Sequence, residues 1–283
     1  MKKGLLVPVI FILIVSSCNV DTDNKIISLN IRYDNPRDGD NAWPARKEIV
    51  LSFLEDQQAD MFGLQEVLWH QYAWLDSCLA GYSSVAAGRD DGLQKGEMTP
   101  VFFKSNRFDL LDSNTFWLSE TPDVPGSKGW GAVLPRIVSW IKLEDKRSKE
   151  ILYFFNTHYS HMSDSARLMS SKILSEQLQK IAGKENFVVT GDFNMLAESE
   201  AYKTMVSAGD SLIKDSYYLS DTEPAGEAYT FNGFKNVSGS GRIDYIFVRS
   251  GTRVKSHQTV NLKRDGIFIS DHWPVISTIS LKR

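Results

Sequence analysis

Asp192 and Asn194 follow the apolar run Phe187–Thr190 in the sequence Thr190-Gly191-Asp192-Phe193-Asn194, and the same placement recurs along the chain. Glu66 follows Met61-Phe62-Gly63-Leu64-Gln65, Asn156 and His158 follow Ile151–Phe155, and Asn30 ends another apolar run. Asp244 has the opposite placement, near the start of Ile243–Val248, and Asp271 and His272 immediately precede Trp273–Leu281. If the last two runs are strands antiparallel to the others, all these groups meet at one rim. Carboxylates and amides gathered there are hard oxygen donors of the kind that select Mg²⁺, Mn²⁺ or Ca²⁺. Mg²⁺ typically takes few carboxylates and fills its other positions with water and substrate phosphate, an economy that Glu66 helped by Asn30 would meet. An imidazole paired with a carboxylate is favoured as a cation, which suits contact with an oxyanion. Such a set fits hydrolysis of phosphate esters, where catalysis rests on placement and on cancelling charge. The alternative is a zinc site of His158, His161 and His272, without a His-Glu-x-x-His pattern to support it.

Six blocks carry a family resemblance: Leu29-Asn30-Ile31-Arg32, Leu64-Gln65-Glu66, Phe155-Asn156-Thr157-His158, Thr190–Asn194, Arg242–Phe247 and Ser270–Val275. In this order, over residues 28–275, they resemble the endonuclease/exonuclease/phosphatase superfamily, which includes pancreatic deoxyribonuclease, neutral sphingomyelinases and inositol polyphosphate 5-phosphatases. The resemblance implies a four-layer α/β/β/α sandwich with two mixed sheets and a Mg²⁺ (or Mn²⁺) site on one rim. It implies Glu66 as main metal ligand, Asn30 in support and Asp271 assisting directly or through water. Asp192 would orient or deprotonate the attacking water, while Asn194 and Asn156 hold the phosphate. His272 would face the scissile phosphate, oriented by Asp244, as base or as charge stabiliser. His158 would be a second phosphate or leaving-group contact. Arg136 is a candidate phosphate contact or a structural residue, and Phe231 either lines the site or packs. Trp117 and Trp130 are loop packing or a substrate platform, and His161, His70 and His257 are expected at the surface or in local hydrogen bonds.

The elements that must hold these residues alternate strands with helices, and hairpins also occur, as in a mixed α/β sandwich. Strands are expected at 25–31, 60–67, 137–143, 151–157, 187–190, 243–248 and 273–281, with a hairpin of 101–104 and 108–111. Helices are expected from Pro44 to about Gln58, at 69–80, from a Ser163 cap to Ala182, and near 198–208. Gly88–Gly96, glycine-containing and charged, reads as a mobile surface loop, and Ser119–Leu134 as a long functional one.

Met1-Lys2-Lys3, an apolar stretch to Val15, and Val15-Ser16-Ser17-Cys18 have the layout of an export signal ending in a bacterial lipobox. Residues 1–17 are expected as a lipoprotein signal peptide, 18–24 as a polar tether from lipid-bearing Cys18, and 25–283 as one catalytic domain. The protein is thus expected outside the cytoplasm, anchored to a membrane through Cys18. With Cys18 lipidated, Cys78 has no second cysteine to pair with, and a domain of this size needs no disulfide. Removing the two leader lysines takes the net charge from −3 to −5, which disfavours a non-specific polyanion binder. The expected partner is a phosphate-ester substrate, nucleic acid or a lipid or sugar phosphate, and no protein partner is inferred. Expected activity is phosphodiesterase or phosphatase, with a nuclease included. The competing readings are a phospholipid, sphingomyelin or inositol-phosphate hydrolase of the same fold, and a binding module that keeps the fold without turnover.

Overall fold

The computed structural model describes residues 23–207, 212–235, 239 and 241–281. The proposed leader, Cys18 and the tether up to residue 22 lie outside them. The first half of the chain forms β1 (Asp23–Asn30), a 3-10 turn (Pro36–Asn41), α1 (Trp43–Gln57), β2 (Met61–Gln65), α2 (Trp69–Cys78), β3 (Tyr82–Val85), β4 (Val101–Lys104), β5 (Phe108–Trp117) and β6 (Ile137–Asp145). β7 (Ile151–His158), α3 (Asp164–Ala182), β8 (Asn186–Asp192), α4 (Glu200–Ser207), β9 (Ile213–Asp215), α5 (Ser216–Leu219), β10 (Ala225–Gly226), β11 (Asp244–Arg249) and β12 (Arg253–Thr259) follow. A small hairpin, β13 (Lys263–Arg264) with β14 (Ile267–Phe268), and then β15 (Val275–Ser280) complete the described fold.

Two large sheets result, in the orders β10-β12-β15-β1-β2-β4-β3 and β5-β6-β7-β8-β11-β9. Strand side chains alternate between faces, so each strand feeds two cores. Ile27, Leu29, Phe62 and Leu64 pack against Val50, Phe53 and Leu54 of α1 and Leu75 of α2. Tyr153, Phe155, Val189 and Phe247 pack against Leu174 and Leu178 of α3 and Met205 of α4. Ile26, Met61, Phe154, Val188, Ile246 and Val275 meet in the layer between the sheets. The architecture is therefore the expected four-layer sandwich with two mixed sheets.

β1 pairs in parallel with β2, and β7 with β8. β15 runs antiparallel to β1, and β11 antiparallel to β8. This reversal brings the starts of β11 and β15 to the rim where β1, β2, β7 and β8 end.

Three expectations are corrected. The tether does not extend to residue 24, because Asp23 and Asn24 already pair with Ser280 and Ile279 as part of β1. The segments 101–104 and 108–111 are not a hairpin, because β4 pairs with β2 and β3 while β5 pairs with β6 of the other sheet. Arg107, in the crossing between them, contacts Asp60 at 3.0 Å and Asp145 at 2.8 Å, clamping the sheets at the rim remote from the strand ends named above. Gly88–Gly96 exposes its tip at Leu93–Lys95, as a surface loop should, but it is not free throughout, since Arg89 is buried and its backbone N–H donates to Glu97 O at 3.0 Å.

Candidate active site

The site continues the layer between the sheets. Asn30 shares its strand face with Ile26, His158 with Phe154, Asp192 with Val188, and Asp244 with Ile246. Toward one rim the apolar residues of this face give way to polar ones, and a cleft of about 680 Å³ opens there. Arg32, Glu66, Glu97, Arg136, His158, Asp192, Asn194, Asp271 and His272 are among its lining residues. That volume suits a small molecule.

Asp192 stands at the centre. In the β8–β11 ladder it lies directly opposite Asp244. Its Oδ2 accepts a hydrogen bond from Asn30 Nδ2 at 3.0 Å and lies 3.5 Å from His158 Nε2 and 3.7 Å from His272 Nε2. Its Oδ1 accepts from the Asn194 backbone N–H at 3.0 Å, across a left-handed turn (φ 49°) that asparagine tolerates. Burial, and then the facing Asp244, push the Asp192 carboxyl up to about 7. His272 Nδ1 is 2.8 Å from Asp244 Oδ2. Burial alone would drive His272 down, but Asp244 and Asp192 outweigh it and hold the imidazole well above its usual range. His158 goes the other way: burial, aided by Arg136 and Arg89, holds it well below. Asn194 Nδ2 lies 3.1 Å from His158 Nε2. An amide donor at Nε2 leaves the proton of neutral His158 on Nδ1, which lies 3.7 Å from Glu97.

Glu66 follows β2 in a left-handed conformation (φ 60°), which non-glycine residues adopt rarely. Its carboxylate accepts from Asn30 Nδ2 at 3.2 Å and from the Tyr33 backbone N–H at 3.2 Å. Strain of this kind gathers at functional sites. Asn30 turns its amide nitrogen to Glu66 and Asp192, and its oxygen accepts from the Arg32 backbone N–H at 2.9 Å. In this orientation it holds the carboxylates in place and does not offer them an oxygen. Asp271 lines the same cleft, its carboxyl raised by burial and further by Glu66, with Arg32 Nη1 3.6 Å away. Phe231, half exposed, sets its ring 5.1 Å from that of His272 and lines the cleft.

Arg136 is buried and reaches the cleft. Its Nη2 lies 3.2 Å from His161 Nδ1, while Nε and Nη1 have no protein partner. Trp117 donates its indole N–H to Arg89 O at 2.6 Å, so it packs the loop. His70 contacts Asp34 at the surface, whereas His257 is buried.

Asn156 departs from its expected place. Its amide nitrogen donates to Leu64 O at 2.7 Å and Pro100 O at 2.9 Å, and its oxygen accepts from Gln65 Nε2 at 2.7 Å and Thr190 Oγ1 at 3.0 Å. It is fully buried between the sheets, on the His158 face but two residues, about 6–7 Å, further from the rim. Gly63 makes room for this network, since a Cβ there would meet Thr190 Oγ1 at 2.3 Å.

Glu97 was not anticipated. Its partly buried carboxyl, raised by desolvation and by Glu66 despite Arg89 and Arg136, lies 2.7 Å from Arg89 Nη1. It precedes β4, which runs antiparallel to β2, so it obeys the same rule as Asp271 before β15. The glycines beside it concealed that signal.

The donors suit a divalent cation. Glu66, His158 and Asp192 present ligand atoms within 4.8 Å of one another, and so do Asp192, Asp244 and His272. Neither group contains two histidines, so among the described residues the zinc set of His158, His161 and His272 does not assemble. The buried Asp244 Oδ1 has no hydrogen-bond partner. Glu66, Asp192, Asp244 and Asp271 crowd one rim, and a hard cation would relieve that charge.

The sequence profile of the Endonuclease/Exonuclease/phosphatase family matches residues 27–272. This chain belongs to the endonuclease/exonuclease/phosphatase family. No curated protein sequence matches it. Among solved structures, the endonuclease/exonuclease/phosphatase from Bacteroides vulgatus is 38% identical, with 92% of this chain and 100% of that one covered and a TM-score of 0.88. A mannosyl-6-phosphatase from Bacteroides thetaiotaomicron is 34% identical, with 91% and 100% covered and a TM-score of 0.85. The human Nocturnin catalytic domain with bound sulfate shares the fold at 22% identity, 92% and 94% coverage and a TM-score of 0.74. The endonuclease/exonuclease/phosphatase fold is that of a phosphoric ester hydrolase.

Proposed function

We propose that this chain hydrolyses a phosphate monoester of a small polar molecule, a sugar phosphate in the first instance, with Mg²⁺ as cofactor. The observation that carries the hydrolytic reading is the carboxylate of Asp192, shared by His158, His272 and Asn30 in an oxygen-lined cleft. A cation held by Glu66, with Asp271 beside it, would polarise the phosphoryl oxygen and cancel its charge. Its presence would also draw Asp192 toward the ionised form. Asp192 then accepts a hydrogen bond from the attacking water and aligns it. Asn194 lines the same space, its amide nitrogen set against His158 Nε2. His272, kept protonated by Asp244, donates from Nε2 to a phosphoryl oxygen. His158, neutral, contacts the phosphate or the leaving group, and Arg136 in the cleft wall adds positive charge toward a terminal phosphate.

Two facts favour a monoester over a long diester. Cationic Arg32 and Arg136 line the inside of the cleft, where a compact dianion would sit. A relative 34% identical is a mannosyl-6-phosphatase. The test is a panel with Mg²⁺ and with EDTA: mannose 6-phosphate, other sugar phosphates, a chromogenic diester, DNA, RNA and sphingomyelin. Monoester turnover at least tenfold above any diester, abolished by EDTA, is expected. A preference for DNA or for sphingomyelin would refute the substrate reading.

We also infer, from residues 1–18, that the protein is exported and tethered by lipid on Cys18. Release of a Cys18→Ser variant from membrane fractions is the expected result.

A further inference from the structure

The start of the fold and the mouth of the cleft lie at opposite ends of one strand. β1 enters at Asp23 and ends at Asn30, whose side chain touches Glu66 and Asp192. Asp23 is fixed at the far rim. Arg107, which clamps the two sheets there, donates to Asp23 O at 2.8 Å, and Lys255 pairs with the Asp23 carboxylate. Seven strand steps separate Asp23 from Asn30, about 23 Å at about 3.3 Å each.

The chain between Cys18 and Asp23 has five steps, which fully extended span at most about 18 Å. We propose that the tethered protein stands on the membrane by the rim opposite its cleft, so that substrate arrives from the aqueous side. Facing the cleft to the bilayer would lift Asp23 at least the length of β1, about 23 Å, above the headgroups, and five residues do not reach that far. The rim loops beyond Asn30, with exposed Met162 and Phe231, widen the gap. This placement rests on lipidation of Cys18, and it narrows the substrate of the proposed hydrolase to a soluble phosphate ester. A headgroup in the anchoring membrane stays out of reach.

The far rim carries exposed Lys149 and Lys255, each paired with an acid, so neutral vesicles are a sufficient surface. The experiment uses the full-length lipidated protein with Cys78→Ser, bound to phosphatidylcholine vesicles that carry an acceptor dye at the headgroups. A donor dye is placed at Lys149→Cys, in the turn after β6, or at Met162→Cys, beyond the end of β7. Stronger energy transfer from position 149 than from position 162 is expected. Equal transfer, or stronger transfer from 162, overturns the orientation. Flotation of the same samples tests the tether separately. A Cys18→Ser variant that floats with vesicles as well as the parent overturns lipidation, and the orientation with it. In unlabelled protein, kcat/KM for mannose 6-phosphate should agree within about twofold between the vesicle-bound form and soluble Cys18→Ser. A tenfold loss on vesicles would place the mouth against the bilayer.

Discussion

His158 and His272 bring their Nε2 atoms to the same oxygen, Oδ2 of Asp192, at 3.5 and 3.7 Å. Their surroundings assign them opposite protonation. Burial and two arginines keep His158 neutral, whereas Asp244 and Asp192 keep His272 charged against the same burial. One carboxylate thus has an acceptor imidazole on one side and a donor imidazole on the other, an asymmetry suited to aligning a water against a phosphoryl group.

Replacing Asp244 tests that division. His272 acts as a cation, so activity falls as pH rises through its raised pKa. Asp244→Asn removes the charge that sustains it, so the alkaline limb of the kcat profile should move down toward neutrality. At pH 8 the loss should reach about 10²–10³-fold, the scale of a charge-stabilising group. His158→Ala should lower kcat without moving that limb. A limb that stays in place in Asp244→Asn would show that His272 does not work as a cation.

Glu66 should govern the response to metal. A ligand that binds only the native state at about 100 times its Kd adds about 2.7 kcal/mol. For a chain of this length that amounts to several degrees in Tm. Mg²⁺ should therefore raise the Tm of the parent protein, EDTA should reverse the rise, and Glu66→Ala should show neither response. Scanning calorimetry of the two proteins reads this without any substrate. An undiminished Mg²⁺ shift in Glu66→Ala would move the cation site elsewhere.

Asn156 should matter for stability and little for substrate. Truncation to Ala leaves Gln65 and Thr190 without their shared acceptor and opens a void between the sheets, a loss of about 2–4 kcal/mol. KM for a soluble monoester, measured well below the Tm, should stay within about threefold of the parent. A tenfold rise in KM with an unchanged Tm would restore Asn156 as a phosphate contact.

Asn156 lies deeper than its place in the sequence suggests. Alternation along β7 put Asn156 and His158 on one face, and the order of apolar runs brought that face to the rim with Asp192 and Asp244. Depth was not legible, because it depends on how closely Gly63 lets the other sheet approach. Glu97 and Arg89 were hidden by glycines that describe a turn but say nothing of the ion pair folded under it. The supposed hairpin of 101–104 and 108–111 failed because three intervening residues fit a tight turn and a sheet crossing equally well, and the buried Arg107 decides between them. β12, rich in Lys, Ser, His and Gln, carries no apolar run and was missed.

His257 offers a prediction about pH remote from the cleft. Its Nδ1 lies 2.9 Å from Ser216 Oγ and 3.0 Å from Ser277 Oγ, and its Nε2 is buried without a partner. Burial lowers the imidazole from 6.5 to about 4, with Asp215 opposing and Arg242 assisting. Below pH 6.5 the unfolded chain takes up a proton that the native state refuses until about pH 4. Stability from this group is therefore complete above pH 6.5 and drains away as the pH falls through that window. The full shift corresponds to roughly 3 kcal/mol. Urea unfolding at pH 7.5 and at pH 4.5 should show the parent losing about 2–3 kcal/mol more than His257→Gln, whose amide can still bond the serines but takes up no proton. Carboxylates that titrate near pH 4.5 are present in both proteins and cancel in the comparison. Equal losses in the two proteins would mean that His257 is protonated in the fold as readily as in the unfolded chain, and that burial is not what sets its charge.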